Sequence, residues 1–432
     1  MNPVSTAVAA APLVAAWSAA HRRDLLHALA DALAAAGDEV IKVAADETGL
    51  TQARLTGELD RTTGQLRLLG DYVAAGRHLP RRESPSAGPG GTDIRQIVVP
   101  VGPVAVFAAS NFPLAFGVLG GDTSSALAAG CPVVVKAHPA QPLTSSLLAS
   151  IAEPVLGDAF GIVFGGPDVS IELVKHPGIK AVGFTGSLRG GRALMDAAAA
   201  RPEPIPVYAE MGSINPVFVL PAAATDLDRA ATLAAAVTGS TGQLCTKPGL
   251  VVVPTAAREF AEQVAEQVAG AQVHRMLTDG MAAGHASWVS ALQASDHDVR
   301  AGDTAPAPVA VIVPASALDD ALLEEHFGPA VVIVLADDFP ALAAQLEGQL
   351  TATIHATDAD TEAARTLLPV LIGKAGRIVW NGVPTGVAVV DAMLHGGPWP
   401  ATSAAWSTSV GTAAVERFQR PVALQGVPTD LL

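Results

Sequence analysis

Val104-Ala-Val-Phe-Ala-Ala-Ser-Asn-Phe-Pro113 is the stretch of this 432-residue chain from which the fold is read. It closes an apolar run, Ile97–Val106, that shows no alternation of polar and apolar residues. Such a run fits a strand covered on both faces. It then enters a polar corner, Ser110-Asn111, and Pro113 stands where the first residue of a helix would sit. The same shape recurs outward. Apolar strands are expected at Pro132–Val135, Ile162–Phe164, Ala181–Phe184, Pro216–Leu220, Leu250–Val253, Val309–Val313, Ala330–Leu335 and Arg377–Trp380, with helical stretches between them. That alternation predicts an α/β protein with parallel sheets.

Residues 4–79 read as helical, rich in Ala and Leu with charges spaced to leave apolar stripes. Met1 to Ala20 (MNPVSTAVAAAPLVAAWSAA) has an apolar centre but no basic residue before it, and Pro12 interrupts it. It is expected to be an amphipathic helix rather than a targeting segment. Arg81 to Asp93 is dense in Ser, Pro and Gly and predicts a loop or a lead into a hairpin. Asp296 to Pro308 predicts a second polar loop. Val415 to Leu432 fits either an arm docked on a neighbour or a frayed tail.

Composition removes several classes. Half of the residues are hydrophobic and 16% are charged, which excludes a disordered chain. The formal charge is −15, and no basic run exceeds a pair, so a nucleic-acid partner is not expected. Apolar runs break before the roughly 18 residues that a membrane helix needs, so no membrane partner is expected. Two cysteines cannot build a disulfide framework. They suggest a reducing, cytoplasmic setting or one thiol with a task. The length fits two or three compact units. Metal-ligand spacings such as HExxH or paired CxxC are missing, and no metal is expected.

Cys245 lies in Gly239-Ser-Thr-Gly-Gln-Leu-Cys-Thr-Lys-Pro-Gly249. A buried inert thiol normally sits in an apolar run, whereas this loop is polar, mobile in composition and flanked by Lys247. That setting suits a nucleophile. Cys131 opens an apolar strand and reads as core. Glu210, in Val207-Tyr-Ala-Glu-Met-Gly212, ends a strand where parallel sheets put their sites. Partial burial would raise its pKa toward that of a useful base, the alternative being a turn cap. The Asn111 amide is placed to donate to an oxyanion or to cap a helix. Phe184-Thr-Gly-Ser-Leu-Arg-Gly-Gly-Arg192 follows a strand and forms a phosphate cradle short of the full GxGxxG pattern. Lys136 ends a strand, as a cofactor anchor or a solvated lysine. Glu324-Glu-His-Phe-Gly-Pro329 taken alone is an acidic loop.

Together and in this order, these motifs resemble the aldehyde dehydrogenase superfamily, from about Ile97 to the C-terminus. Ala109-Ser-Asn-Phe-Pro-Leu-Ala-Phe116, Val134-Val-Lys-Ala-His-Pro139, Ala209-Glu-Met-Gly-Ser-Ile-Asn-Pro216 and His395-Gly-Gly-Pro-Trp-Pro-Ala-Thr402 are similar to the branch containing 2-oxoglutarate semialdehyde dehydrogenases. NADP-preferring fatty aldehyde dehydrogenases resemble the same branch.

The resemblance implies two doubly wound parallel-sheet domains and a small oligomerisation arm. An NAD(P)-binding domain would span 1–212, with 75–100 contributing to the arm. A catalytic domain would span 213–395, and 396–432 would form a return segment and the rest of the arm. It also implies roles. Cys245 would be the nucleophile, its backbone N–H and the Asn111 amide the oxyanion hole, and Glu210 the activator of water. Lys136 would hold the adenine ribose, Gly186, Ser187 and Gly191 the pyrophosphate turn, Glu325 the nicotinamide ribose, and Phe327 the nicotinamide edge. Cys245 would carry a thiohemiacetal and then a thioester, hydrolysed to a carboxylate. The retained Glu210 argues against release to a thiol acceptor.

The expected substrate is 2-oxoglutarate semialdehyde, with a medium- or long-chain aliphatic aldehyde as the alternative and a non-catalytic nucleotide-binding relative as another. An anionic substrate on so acidic a chain needs a local cationic pocket. Pro139 stands where NAD-selective members often carry an acid, so NADP is expected to be preferred over NAD. A homodimer or homotetramer is implied. The chain departs from the family in Ser110, where Trp is usual, and in its shortened segments before Asn111 and between Cys245 and Glu325.

Overall fold

The computed structural model describes residues 2–80 and 82–431; positions 1, 81 and 432, which end three of the stretches quoted above, lie outside them. Two parallel sheets organise the chain. The first has five parallel strands in the order Phe160–Val163, Val133–Lys136, Val104–Phe107, Ala181–Thr185, Val207–Glu210. The chain starts in the middle, steps outward twice, then crosses to the other side. This doubly wound order leaves a switch point between Val104–Phe107 and Ala181–Thr185, where a crevice opens at the strand ends.

Residue alternation explains why these strands are apolar throughout. Val104 and Val106 pack among Leu26, Leu66, Leu127 and Leu148 on one face. Ala105 and Phe107 pack with Val4, Leu173, Val174 and Leu194 on the other. Four helices, Pro3–Ala15, Ala19–Ala35, Gly37–Thr48 and Gln52–Ala74, form the N-terminal stretch, as its pattern predicts.

The second sheet has seven strands, in the order Asp298–Ala301, Val309–Pro314, Ala330–Leu335, Leu250–Val253, Val217–Val219, Gln349–His355, Ala375–Trp380. Only the first of these runs antiparallel to its neighbour. The third sheet is antiparallel: Glu83–Ser84, Ile94–Pro100 and Gln419–Gln425. No helix among the described residues is long and apolar enough to cross a membrane.

Five expectations need correction. Ile97–Val106 is two strands on two sheets. Gly102, at φ +113°, and Pro103 break the run between them. Pro113 does not open a helix; residues 110–120 form tight turns, and the helix begins at Gly121. A Cβ at Gly117 would lie 1.7 Å from the Pro113 carbonyl oxygen, so this compact turn requires a glycine. The segment Asp296–Pro308 contains an edge strand rather than being loop throughout. Gln349–His355, absent from the expected strands, is a strand of the second sheet; Thr351 and Thr353 interrupt its apolar pattern, yet both are buried. The end of the chain is neither a frayed tail nor free: Gln419–Gln425 pairs along Ile94–Pro100.

Candidate active site

The Cys245 loop begins under strain. Ser240 and Thr241 both adopt left-handed backbone, at φ 50° and 55°. Their side chains are tied down: Ser240 Oγ accepts from Arg54 Nη1, and Thr241 Oγ1 donates to the His274 carbonyl at 3.0 Å. A Cβ at Gly242 would lie 2.0 Å from the Gly328 carbonyl oxygen, so only glycine lets this loop press against Phe327-Gly-Pro329. Asn215 holds the far side of the loop. Its Nδ2 donates to the carbonyls of Cys245 at 2.9 Å and Lys247 at 3.0 Å.

Asn111 reaches this loop. Its Nδ2 donates to the Gln243 carbonyl at 3.1 Å, two residues before the cysteine. It caps no helix. An amide has two N–H donors, so one remains for another acceptor. Its own carbonyl accepts from Arg54 Nη2 at 2.8 Å.

Glu210 and Cys245 come together through a residue to which the sequence reading gave no role. His395 Nε2 lies 3.6 Å from Cys245 Sγ and 2.9 Å from Glu210 Oε1. Ser409 Oγ donates to Glu210 Oε2 at 2.6 Å. The segment after His395 folds back along Val207–Glu210. Ala401 accepts from the Met211 N–H at 2.8 Å, and Ala209 N–H donates to Ser403 Oγ at 2.8 Å. The signal for His395 was its place beside Gly396 and Gly397, inside a quoted motif. Those glycines are packed against backbone where a Cβ would overlap carbonyl oxygens.

The charges follow from this packing. Burial disfavours the His395 imidazolium, but the Glu210 carboxylate and the Cys245 sulfur outweigh it and push its pKa up to about 10. Burial alone would raise the Glu210 pKa, but His395 and Ser409 hold it below the ordinary value. The expectation of a raised Glu210 pKa is therefore corrected: burial acts in the expected direction, but His395, distant in sequence, and Ser409 outweigh it. Lys247 does not face the sulfur. Its Nζ donates to the carbonyls of His326 at 2.9 Å and Ala330 at 2.8 Å, bracing the 324–329 loop against the Cys245 loop. Burial lowers its pKa to about 8 against the opposing charge of Glu325. Cys131 is core: it is fully buried, its Sγ meets the Phe418 carbonyl at 3.4 Å, and burial pushes the thiol to about 11.

The candidate cofactor residues line the ends of the first sheet. Lys136 ends its strand, and Gly186-Ser187 follow Ala181–Thr185 at the switch point. Ser187 caps helix Leu188–Ala199, accepting from the Gly190 N–H at 3.2 Å. Gly191 faces inward; a Cβ there would lie 2.5 Å from Met211 Sδ, so it allows the helix to pack on the strand that carries Glu210. Glu325 stands over Gly212, where a Cβ would lie 2.7 Å from its Oε2. Burial raises the Glu325 pKa to about 7, against the opposing charge of Lys247. Phe327 is half-buried beside it. A capped helix N-terminus at a switch point, with a carboxylate across the crevice, fits a dinucleotide.

A thiol loop, an amide, a buried carboxylate and a crevice at the switch point are thus brought to one place. The model of the aldehyde dehydrogenase family matches residues 2–398, and the chain belongs to that family of NAD(P)-dependent aldehyde oxidoreductases. It is 47% identical over 445 residues to alpha-ketoglutaric semialdehyde dehydrogenase 2 of Azospirillum brasilense, covering 96% of this chain and 84% of the relative. It is 42% identical over 442 residues to the alpha-ketoglutaric semialdehyde dehydrogenase of Acinetobacter baylyi, covering 95% and 83%. Among solved structures, a variant of proline utilization A from Bradyrhizobium japonicum superposes with a TM-score of 0.85 at 24% identity. This chain spans 44% of that longer one, and the likeness there is one of fold.

Proposed function

We propose that this enzyme oxidises 2-oxoglutarate semialdehyde to 2-oxoglutarate, with Cys245 as nucleophile. The observation that carries the chemistry is the contact of His395 with both Cys245 and Glu210. A cationic imidazole beside the sulfur supports a thiolate, which adds to the aldehyde carbon. The second N–H of Asn111 and the Cys245 backbone N–H stabilise the resulting oxyanion; losing one such donor costs about 3 kcal/mol. The bound nicotinamide supplies the hydride acceptor. Lys136, Gly186, Ser187, Glu325 and Phe327 hold it, and Gly191 keeps the helix that presents Ser187 close to the sheet. Glu210 then takes a proton from water, whose oxygen attacks the Cys245 thioester. The thiolate is expelled and returns to His395, and the carboxylic acid so formed loses its proton to solvent, as does Glu210, when the carboxylate product leaves.

The substrate assignment draws on the two semialdehyde dehydrogenase relatives and on charge. Arg54, on the Asn111 carbonyl, and Arg61, over the Phe116 ring that neighbours His395, offer the local positive charge that an anionic substrate needs on a chain of charge −15. NADP is the preferred cofactor in this reading, because Pro139, exposed three residues after Lys136, brings no carboxylate to repel a phosphate. The working form is a homodimer or homotetramer, and two unpaired thiols suit a reducing cytoplasm. Initial rates of NADPH formation test the substrate. The reading requires kcat/KM for 2-oxoglutarate semialdehyde to exceed that for pentanal and decanal; the reverse order overturns it.

A further inference from the structure

Helix Gln52–Ala74 sets Arg54, Glu58, Arg61 and Gln65 on one face, at spacings of three and four residues, against the chain between Asn111 and Ser124. Three of these four polar groups are occupied. Arg54 donates to the Asn111 carbonyl and to Ser240, with Glu58 3.7 Å away. Glu58 accepts the N–H groups of Leu114 at 2.8 Å and Ala115 at 2.9 Å. Gln65 donates to Ser124 Oγ at 3.2 Å.

Arg61 is different. Its Nε and Nη2 are buried and have no hydrogen-bond partner among the described residues. Its Cζ lies 5.6 Å from the centre of the Phe116 ring, and that ring lies 6.4 Å from the His395 ring. The guanidinium is therefore one aromatic ring away from the group that touches Cys245. Arg377 is not an equivalent candidate, because it donates to the Gly386 carbonyl at 2.9 Å and to the Pro384 carbonyl. A guanidinium whose Nε and Nη2 are buried and unpaired is costly unless an anion pairs with them. A carboxylate matches that fork with two parallel hydrogen bonds.

We infer that Arg61 is the receptor for a carboxylate at the far end of the substrate, so that the site selects aldehydes with a second, anionic end. This rests on the reading of Cys245 as nucleophile and adds the residue that discriminates among substrates. Arg54 braces the Asn111 turn and is not the receptor.

The test compares wild type, Arg61→Met and Arg61→Lys on glutaric semialdehyde and pentanal, which share chain length. It also measures protection of Cys245 from iodoacetamide by glutarate, which cannot react. In Arg61→Met the ratio of kcat/KM for the acid over pentanal falls about 100-fold, mainly through KM, and glutarate protection is lost. Arg61→Lys, which keeps the charge without the fork, recovers part of both. If the wild type prefers the acid and Arg61→Met keeps that preference and the protection, the carboxylate is held elsewhere and the inference is overturned while the substrate reading stands. If the wild type prefers pentanal, the acidic-substrate reading fails first and the inference with it. Should Arg61→Met not fold, an unchanged acid preference and unchanged protection in Arg61→Lys are enough to overturn the role of the fork.

Discussion

Glu210 and His395 form a buried pair, 2.9 Å apart, in which the carboxylate keeps the imidazole charged beside Cys245. Residues 185 positions apart in sequence thus share one proton site, and the reactivity of the sulfur depends on both.

Replacing His395 by Gln keeps a donor for Glu210 but removes the charge at the sulfur. The expected result is a fall in kcat/KM of about 100-fold. Iodoacetamide labelling of Cys245, followed by mass spectrometry, should slow as well. Cys131, sealed in the core, should stay unlabelled in both proteins while they are folded.

Glu210→Gln separates the two halves of the reaction. A first-turnover burst of NADPH should keep its amplitude, because thiolate attack and hydride loss precede water activation, but it should rise more slowly, because the imidazole loses the carboxylate that keeps it charged. The steady-state rate should fall by about 1000-fold. Stopped-flow absorbance at the reduced-cofactor band decides it, and loss of the burst with the steady state would remove Glu210 from the hydrolytic step.

The same pair makes stability depend on pH. The His395 pKa rises from 6.5 to about 10 on folding, so its contribution is full below pH 6.5 and is lost as pH rises through 10. The Glu210 pKa falls from 4.5, so its contribution is present above that pH and is lost as pH drops through the lower folded value. Melting temperatures of wild type and His395→Gln should therefore differ most near pH 6 and converge toward pH 10. A gap that widens on the alkaline side would contradict the pairing.

Pro139→Glu tests the cofactor reading. A carboxylate there would repel a ribose phosphate, and the kcat/KM ratio for NADP over NAD should fall about tenfold. An unchanged ratio would mean that another position sets the preference.

Much of the scaffold was legible because its strands are apolar on both faces and need no long-range information to be seen. The failures are equally local. Gln349–His355 was hidden by threonines that the interior accepts once Thr351 Oγ1 meets Asn215 Oδ1 at 3.1 Å. The corner after Asn111 looked like a helix start because Pro113 suits one, yet Glu58 takes the N–H groups of Leu114 and Ala115 and fixes a turn instead.

The sequence by itself determined the order of the motifs and the alternation of buried strands and helices. These are properties of composition and spacing along the chain. The tertiary structure alone decided that His395 and Ser409 return to Glu210, that Lys247 braces a loop rather than facing the sulfur, and that Arg61 is left with an open fork. Those outcomes depend on which distant side chains share a desolvated space. There, partners rather than residue type set charge and hydrogen bonding.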